Sequence, residues 1–166
     1  TDRQKGHVET FPDYQKDVTA LLEAAQELGF QPPFYLVAHS MGGCIGYRAL
    51  FEGLPVQAAV FTGPMWGIEM NPLLKPFAPT IAAVGKTFGF GESYVPSGTP
   101  DNYVQTQGFA GNTLTTDPDM YAFMKTQIDA HSDLGLGGPT YLWLHEALTE
   151  IRLILSSDAP HVPTRC

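Results

Sequence analysis

The sequence is poor in positive charge. Nine Lys and Arg face seventeen Asp and Glu over 166 residues, a formal net charge of −8. Nucleic-acid phosphates are held by clustered basic surface, so this balance argues against a nucleic-acid partner. It also repels anionic headgroups, so any membrane contact would have to be apolar. Cysteine is scarce. Cys44 and Cys166 stand far apart and match no metal or redox spacing. They read as a buried thiol and a terminal one. No disulfide is needed, which is compatible with a reducing compartment. No metal or cofactor is expected. No run reaches the ~18 apolar residues of a spanning helix, and no signal-peptide pattern opens the chain. The expected location is cytoplasmic, with peripheral membrane association left open. What is present is a 43% hydrophobic composition, enough for an ordinary core.

Phe11, Tyr14, Val18, Leu21, Leu22, Ala25 and Leu28 recur at three- and four-residue spacing, which predicts a helix with one apolar face. Pro12 and Asp13 suit its first turn and Gly29 its end. Phe34 to Ala38 is apolar without alternation, as in a strand buried on both faces. A small-residue helix from Gly42 to about Gly53 follows, then a second buried strand, Ala58 to Phe61. Strand, helix, strand in about 28 residues is a βαβ unit, with parallel strands and a right-handed crossover. Residues 63–116 are richer in Gly, Pro, Thr and aromatics, with one helix expected near Pro72–Phe88. Further helices are expected over Asp117–Ala130 and Pro139–Ser156, then a break at Pro160 and a strand from Val162. The division expected is 1–63 core, 64–150 helical cap and 151–166 return to the core.

The chemistry concentrates at Ala38-His39-Ser40-Met41-Gly42-Gly43. The form is strand, then A-x-S-x-G-G, then helix, a variant of the G-x-S-x-G nucleophile elbow. A serine that stands clear of a sheet needs a sharp strand-to-helix turn. Such a turn crowds the positions two before and two after it, and Ala38 and Gly42 are small. The helix that starts at the serine turns its free N–H groups toward the site, so the Met41 N–H can donate to a developing oxyanion. Gly43 and Gly46 let the helix approach the sheet. The alternative is a serine that merely caps the helix.

On these and other stretches the chain resembles bacterial lysophospholipase L2-type enzymes and their relatives, the monoacylglycerol lipase-like and serine aminopeptidase-like α/β hydrolases. The stretches are Gly6 to Phe11 with Tyr14 and Asp17; Ala38 to Gly43; Gly63 to Ile68; Asn112 to Thr115 with Asp117; and Leu136 to Thr140 with Trp143 and Leu144. The resemblance implies a fragment of an α/β-hydrolase parallel sheet with a mostly helical cap. It implies Ser40 as the nucleophile of a Ser-Asp-His triad and a lipid-like ester as substrate. Trp66 and Trp143, with Tyr94 and Tyr103, are candidates for the pocket wall or for cap packing. Peripheral membrane contact through the cap would fit such a substrate.

A serine hydroxyl needs a base. In this fold the acid and the histidine follow the serine on later loops, and the resemblance places both beyond this chain. Both ends are expected to be cuts, and the chain alone is expected to be inactive. No internal histidine serves as a substitute. His39 adjoins Ser40 on the turn and reads as packing or site wall. His161 precedes a strand, so it belongs at the opposite sheet edge. His7 and His131 read as loop and helix-end residues, His145 as structural. Asp117, Asp119, Asp129, Asp133 and Asp158 read as helix starts, caps or solvated groups. A peptidase of the same superfamily and a non-catalytic binding module remain the alternatives.

Overall fold

A computed structural model describes residues 4–69, 89–96 and 98–158. The helix expected near Pro72–Phe88, His161, the strand expected from Val162, and Cys166 lie outside the described residues. Contacts divide the chain into two units, Glu9–Pro79 with His145–Cys166, and Thr1–Val8 with Thr80–Leu144. Gly6 bridges Pro139, which joins the first residues to the 80–144 stretch.

The first unit contains the βαβ motif. A 3₁₀ turn, Phe11–Asp13, leads into α1, Tyr14–Glu27. The Asp13 carboxylate ties the entry by accepting from the Thr10 N–H (3.3 Å) and hydroxyl (3.0 Å). Gly29 ends the helix at φ 88°, a conformation that glycine adopts without a Cβ clash. Then come β1 (Phe34–His39), α2 (Met41–Phe51) and β2 (Val56–Thr62). The strands pair in parallel, with Leu36 opposite Ala59, Ala38 opposite Phe61 and His39 opposite Thr62.

The expectation that both strand faces are buried is corrected. Tyr35 (63% exposed), Val37 (75%) and Val60 (55%) lie open on one face. Only the Phe34, Leu36 and Ala38 side is covered, because α2 packs there. No element among the described residues covers the other. The apolar stripe of α1 is likewise only half buried. Leu21 and Leu28 are exposed, while α1 touches α2 through a bond from Gln15 Nε2 to the Ile45 carbonyl (3.0 Å).

The final helix, α5 (Tyr141–Ser156), contributes its residues from His145 onward to this unit. Ala147, Ile151 and Ile154 are buried at the period of a helix. The Glu150 carboxylate accepts twice from Arg48 Nη1 of α2, at 3.1 and 3.2 Å. Arg48 Nε also donates to Glu52 at 2.6 Å.

The second unit holds α3 (Tyr103–Thr106), a 3₁₀ turn (Phe109–Gly111), α4 (Pro118–Ala130) and the first turn of α5. The Asp117 side chain caps α4, accepting from the N–H groups of Asp119 (2.8 Å) and Met120 (3.2 Å). Buried Tyr121 packs on Phe109 and donates its hydroxyl to the carbonyls of Val104 and Gln107. The fully buried Thr140 takes its backbone partner from Gly6 (3.0 Å) and its side-chain partner from His7 Nδ1 (2.8 Å).

Candidate active site

Ser40 joins β1 to α2 with φ 51° and ψ −124°. Among the described residues it is the one non-glycine with positive φ. Such a conformation costs on the order of 1–3 kcal/mol and persists only where its surroundings enforce it. Here the enforcement comes from the end of β2. The Ser40 N–H donates to the Thr62 carbonyl at 3.3 Å. The Ser40 carbonyl accepts from the Gly43 N–H (2.9 Å) and from the Met65 N–H (2.8 Å). Residues 62–65 thus grip Ser40 from both sides.

The side chain is left free. It makes no capping bond to α2, although Ser40 occupies the N-cap position. Ser40 is exposed, and its hydroxyl bonds to no histidine or carboxylate among the described residues. The Met41 N–H opens α2 without a partner among them, as the first N–H groups of a helix do. A hydroxyl and a donor N–H therefore sit on consecutive residues at the positive end of an 11-residue helix.

Small residues make the turn possible, though not all where the pattern places them. Ala38 is buried, and a Cβ on Gly46 would stand 3.3 Å from the Ala38 Cβ and 3.1 Å from Leu36 Cδ2. A Cβ on Gly43 would come within 2.6 Å of Pro64 Cβ and 2.9 Å of Pro64 Cα. The crowding expected at Gly42 is absent among the described residues, where a Cβ would meet nothing within 4 Å. The second glycine of the pair is the crowded one.

The family described as serine aminopeptidase, S33 (Hydrolase_4) matches residues 1–158. The chain belongs to that family. The chain is similar to a probable lysophospholipase L2 of Haemophilus influenzae, 29% identical over 152 residues. That match covers 90% of this chain and 46% of the Haemophilus protein. Lysophospholipase L2 of Escherichia coli K12 is 29% identical over 157 residues, covering 89% of this chain and 43% of the relative. The chain spans less than half the length of these relatives. The α/β-hydrolase fold class and the lysophospholipase resemblance read from the sequence agree with these matches.

The remaining candidates read from the sequence are placed as follows. His39 Nδ1 lies 2.7 Å from the Thr62 carbonyl and 3.0 Å from Thr62 Oγ1. Trp66, 40% exposed, stacks edge-on with Tyr47 (5.6 Å between centroids) and tilts against Phe61. An apolar groove is lined by Tyr47, Trp66, Ile154 and Leu155. Trp143 belongs to the other unit, where its N–H donates to Thr140 Oγ1 at 3.2 Å. His131 ends α4. His145 lies in α5, with Nδ1 buried and unpartnered among the described residues. No metal-binding cluster of His, Cys, Asp or Glu occurs among the described residues, and no described helix is long and apolar enough to cross a membrane. Cys44 is fully buried in α2. Burial, and then the charge of Glu150, push its thiol up to about 12, so it is no nucleophile at neutral pH.

The grip of residues 62–65 on Ser40 was not foreseen. Gly63-Pro64 marks an exit from the strand, but only tertiary structure brings the Met65 N–H to Ser40.

Proposed function

We propose that the full-length protein is a serine hydrolase that cleaves carboxylic esters of lipid-like substrates, a lysophospholipid or monoacylglycerol, through an acyl-enzyme on Ser40. The observation that carries this is the enforced left-handed turn at Ser40, which leaves an uncapped hydroxyl beside the Met41 N–H. In the reaction a base takes the hydroxyl proton as Oγ attacks the ester carbonyl. The Met41 N–H donates to the oxyanion that forms. The proton passes to the leaving alcohol, and water then releases the acid. In this proposal the base and its acid partner lie outside the described residues, whose histidines and carboxylates make no bond to the Ser40 hydroxyl. The names of the relatives support a lysophospholipid substrate. The apolar rings around Trp66 suit an acyl chain better than a charged peptide. Peripheral contact with the lipid surface through the cap unit, where Phe90, Leu114 and Phe123 are exposed, belongs to the same proposal.

The family description as a serine aminopeptidase favours a second reading, amide hydrolysis by the same serine. A fluorophosphonate probe should label the full-length protein, and Ser40→Ala should abolish labelling. Persistent labelling in that variant would overturn the assignment. Lysophosphatidylcholine and aminoacyl-amide substrates, offered in parallel, then separate the two readings. This chain by itself should label slowly or not at all.

A further inference from the structure

We infer that His39 is a positioning residue, which holds Ser40 in its turn by donating from Nδ1 to the Thr62 carbonyl. The role deepens the proposed hydrolase and rests on Ser40 being its nucleophile.

The Thr62 carbonyl accepts twice at one place. It takes the last rung of the β1–β2 ladder, from the Ser40 N–H, at a long 3.3 Å. It also takes the His39 ring at 2.7 Å. A carbonyl has no proton to give, so His39 Nδ1 must carry the hydrogen. The short side-chain bond therefore reinforces the strands where the backbone bond is stretched, one residue before the strained serine. Thr62 Oγ1 lies 3.0 Å from the same nitrogen and limits how the ring can turn. Gly63 follows at φ 49°, and a Cβ built on it would reach within 3.6 Å of His39 Cε1, so the ring lies over the turn. That turn leads to Met65, whose N–H holds the Ser40 carbonyl from the other side. Loss of the ring bond would let the end of β2 and the start of the 62–65 turn move away from Ser40.

The residue is not a base in this arrangement. Its bonded nitrogen, Nδ1, points to the Thr62 carbonyl and hydroxyl, and no hydrogen bond joins the ring to the Ser40 hydroxyl among the described residues. The two roles predict different rescues. An Asn amide nitrogen stands near the place of Nδ1, whereas a Gln amide nitrogen stands near the place of Nε2. Positioning through Nδ1 is rescued by Asn, and chemistry through Nε2 by Gln.

The test uses the full-length protein, with His39→Phe, His39→Gln and His39→Asn, and reads the rate of fluorophosphonate labelling at saturating probe separately from probe affinity. His39→Phe and His39→Gln should slow the saturated rate about 10- to 100-fold with little change in affinity, the range expected when a reacting group is displaced by up to ~1 Å. His39→Asn should recover most of the loss. Rescue by Gln rather than Asn, or equal rates in all three, would overturn the inference. A second reading needs no activity. The wild-type imidazole should show an Nδ1–H resonance protected from exchange. Amide exchange at Ser40 and Met65 should rise in His39→Phe and fall back in His39→Asn. An Nε2–H tautomer, or unchanged exchange in His39→Phe, would overturn it. If the wild-type protein does not label at Ser40, the hydrolase proposal fails, while the exchange measurement still decides the placement of His39.

Discussion

Gly43→Ala tests the grip on Ser40 through packing alone. The new methyl carbon would stand 2.6 Å from Pro64 Cβ and 2.9 Å from Pro64 Cα. Carbon atoms settle at about 3.5–4.0 Å, so something must yield by roughly 1 Å. Residue 43 lies in the first turn of α2, and Pro64 is a ring fixed to backbone, so neither partner is a flexible side-chain end. The cheaper movement carries Pro64 outward and Met65 with it. The Met65–Ser40 bond, now 2.8 Å, then lengthens beyond hydrogen-bonding range. Overpacking costs about 1–3 kcal/mol, while replacing a helical glycine returns about 0.8–1 kcal/mol. The expected net loss is about 0 to 2 kcal/mol by urea denaturation. The loss of alignment should slow labelling at Ser40 about 100-fold. Gly46→Ala is the comparison. Its methyl would meet the movable end of Leu36 at 3.1 Å and the Ala38 Cβ at 3.3 Å, so its stability and labelling should change much less. If Gly43→Ala is as stable and as fast to label as Gly46→Ala, the 62–65 turn does not hold the serine.

Two further outcomes follow from the same unit. With Cys166 replaced by Ser, Cys44 should resist iodoacetamide at pH 8 in the folded protein and react at least ~1,000-fold faster in urea, since the folded thiol is pushed up to about 12 and an unfolded one ionises near 8.5. The neutral thiol is the form that folding favours, so its contribution to stability is full below pH ~8.5 and declines as pH rises toward 12; ready alkylation of the native state would refute the burial. Arg48→Met strands the Glu150 carboxylate, only 5% exposed, and should cost about 3–5 kcal/mol, whereas Arg48→Met with Glu150→Leu should recover a large part of it. Equal losses in the single and double variants would show that the pair is not what joins α2 to α5.

The periodic parts of the fold were legible. Three-residue and four-residue spacing located α1, and an unbroken apolar run located β1. The Asp117-Pro118 start of α4 needed only local chemistry, a carboxylate that caps and a proline that tolerates the first turn. β2 was read short at both ends, Ala58–Phe61 against Val56–Thr62, because polar Gln57 and Thr62 bound its apolar run. Burial was misread for the same strands. An apolar run reports what a strand can bury, while cover depends on elements that pack from elsewhere, and Val37 and Val60 have none among the described residues. At the site, the turn at Ser40 was readable because residue types near it are sterically dictated. The roles of Thr62, Pro64 and Met65 were not, since a carbonyl or an N–H that any residue carries leaves no mark in the sequence.

The uncovered side of the two-stranded sheet has a practical consequence. Tyr35, Val37, Ala58 and Val60 make a small patch of hydrocarbon that water wets poorly, in a ribbon whose outer edges have no strand partner among the described residues. A two-stranded ribbon is marginal unless something lies against it. Expressed alone, this stretch of polypeptide would find that cover in its own copies, and its solubility would be set by that patch and those edges rather than by its eight net negative charges.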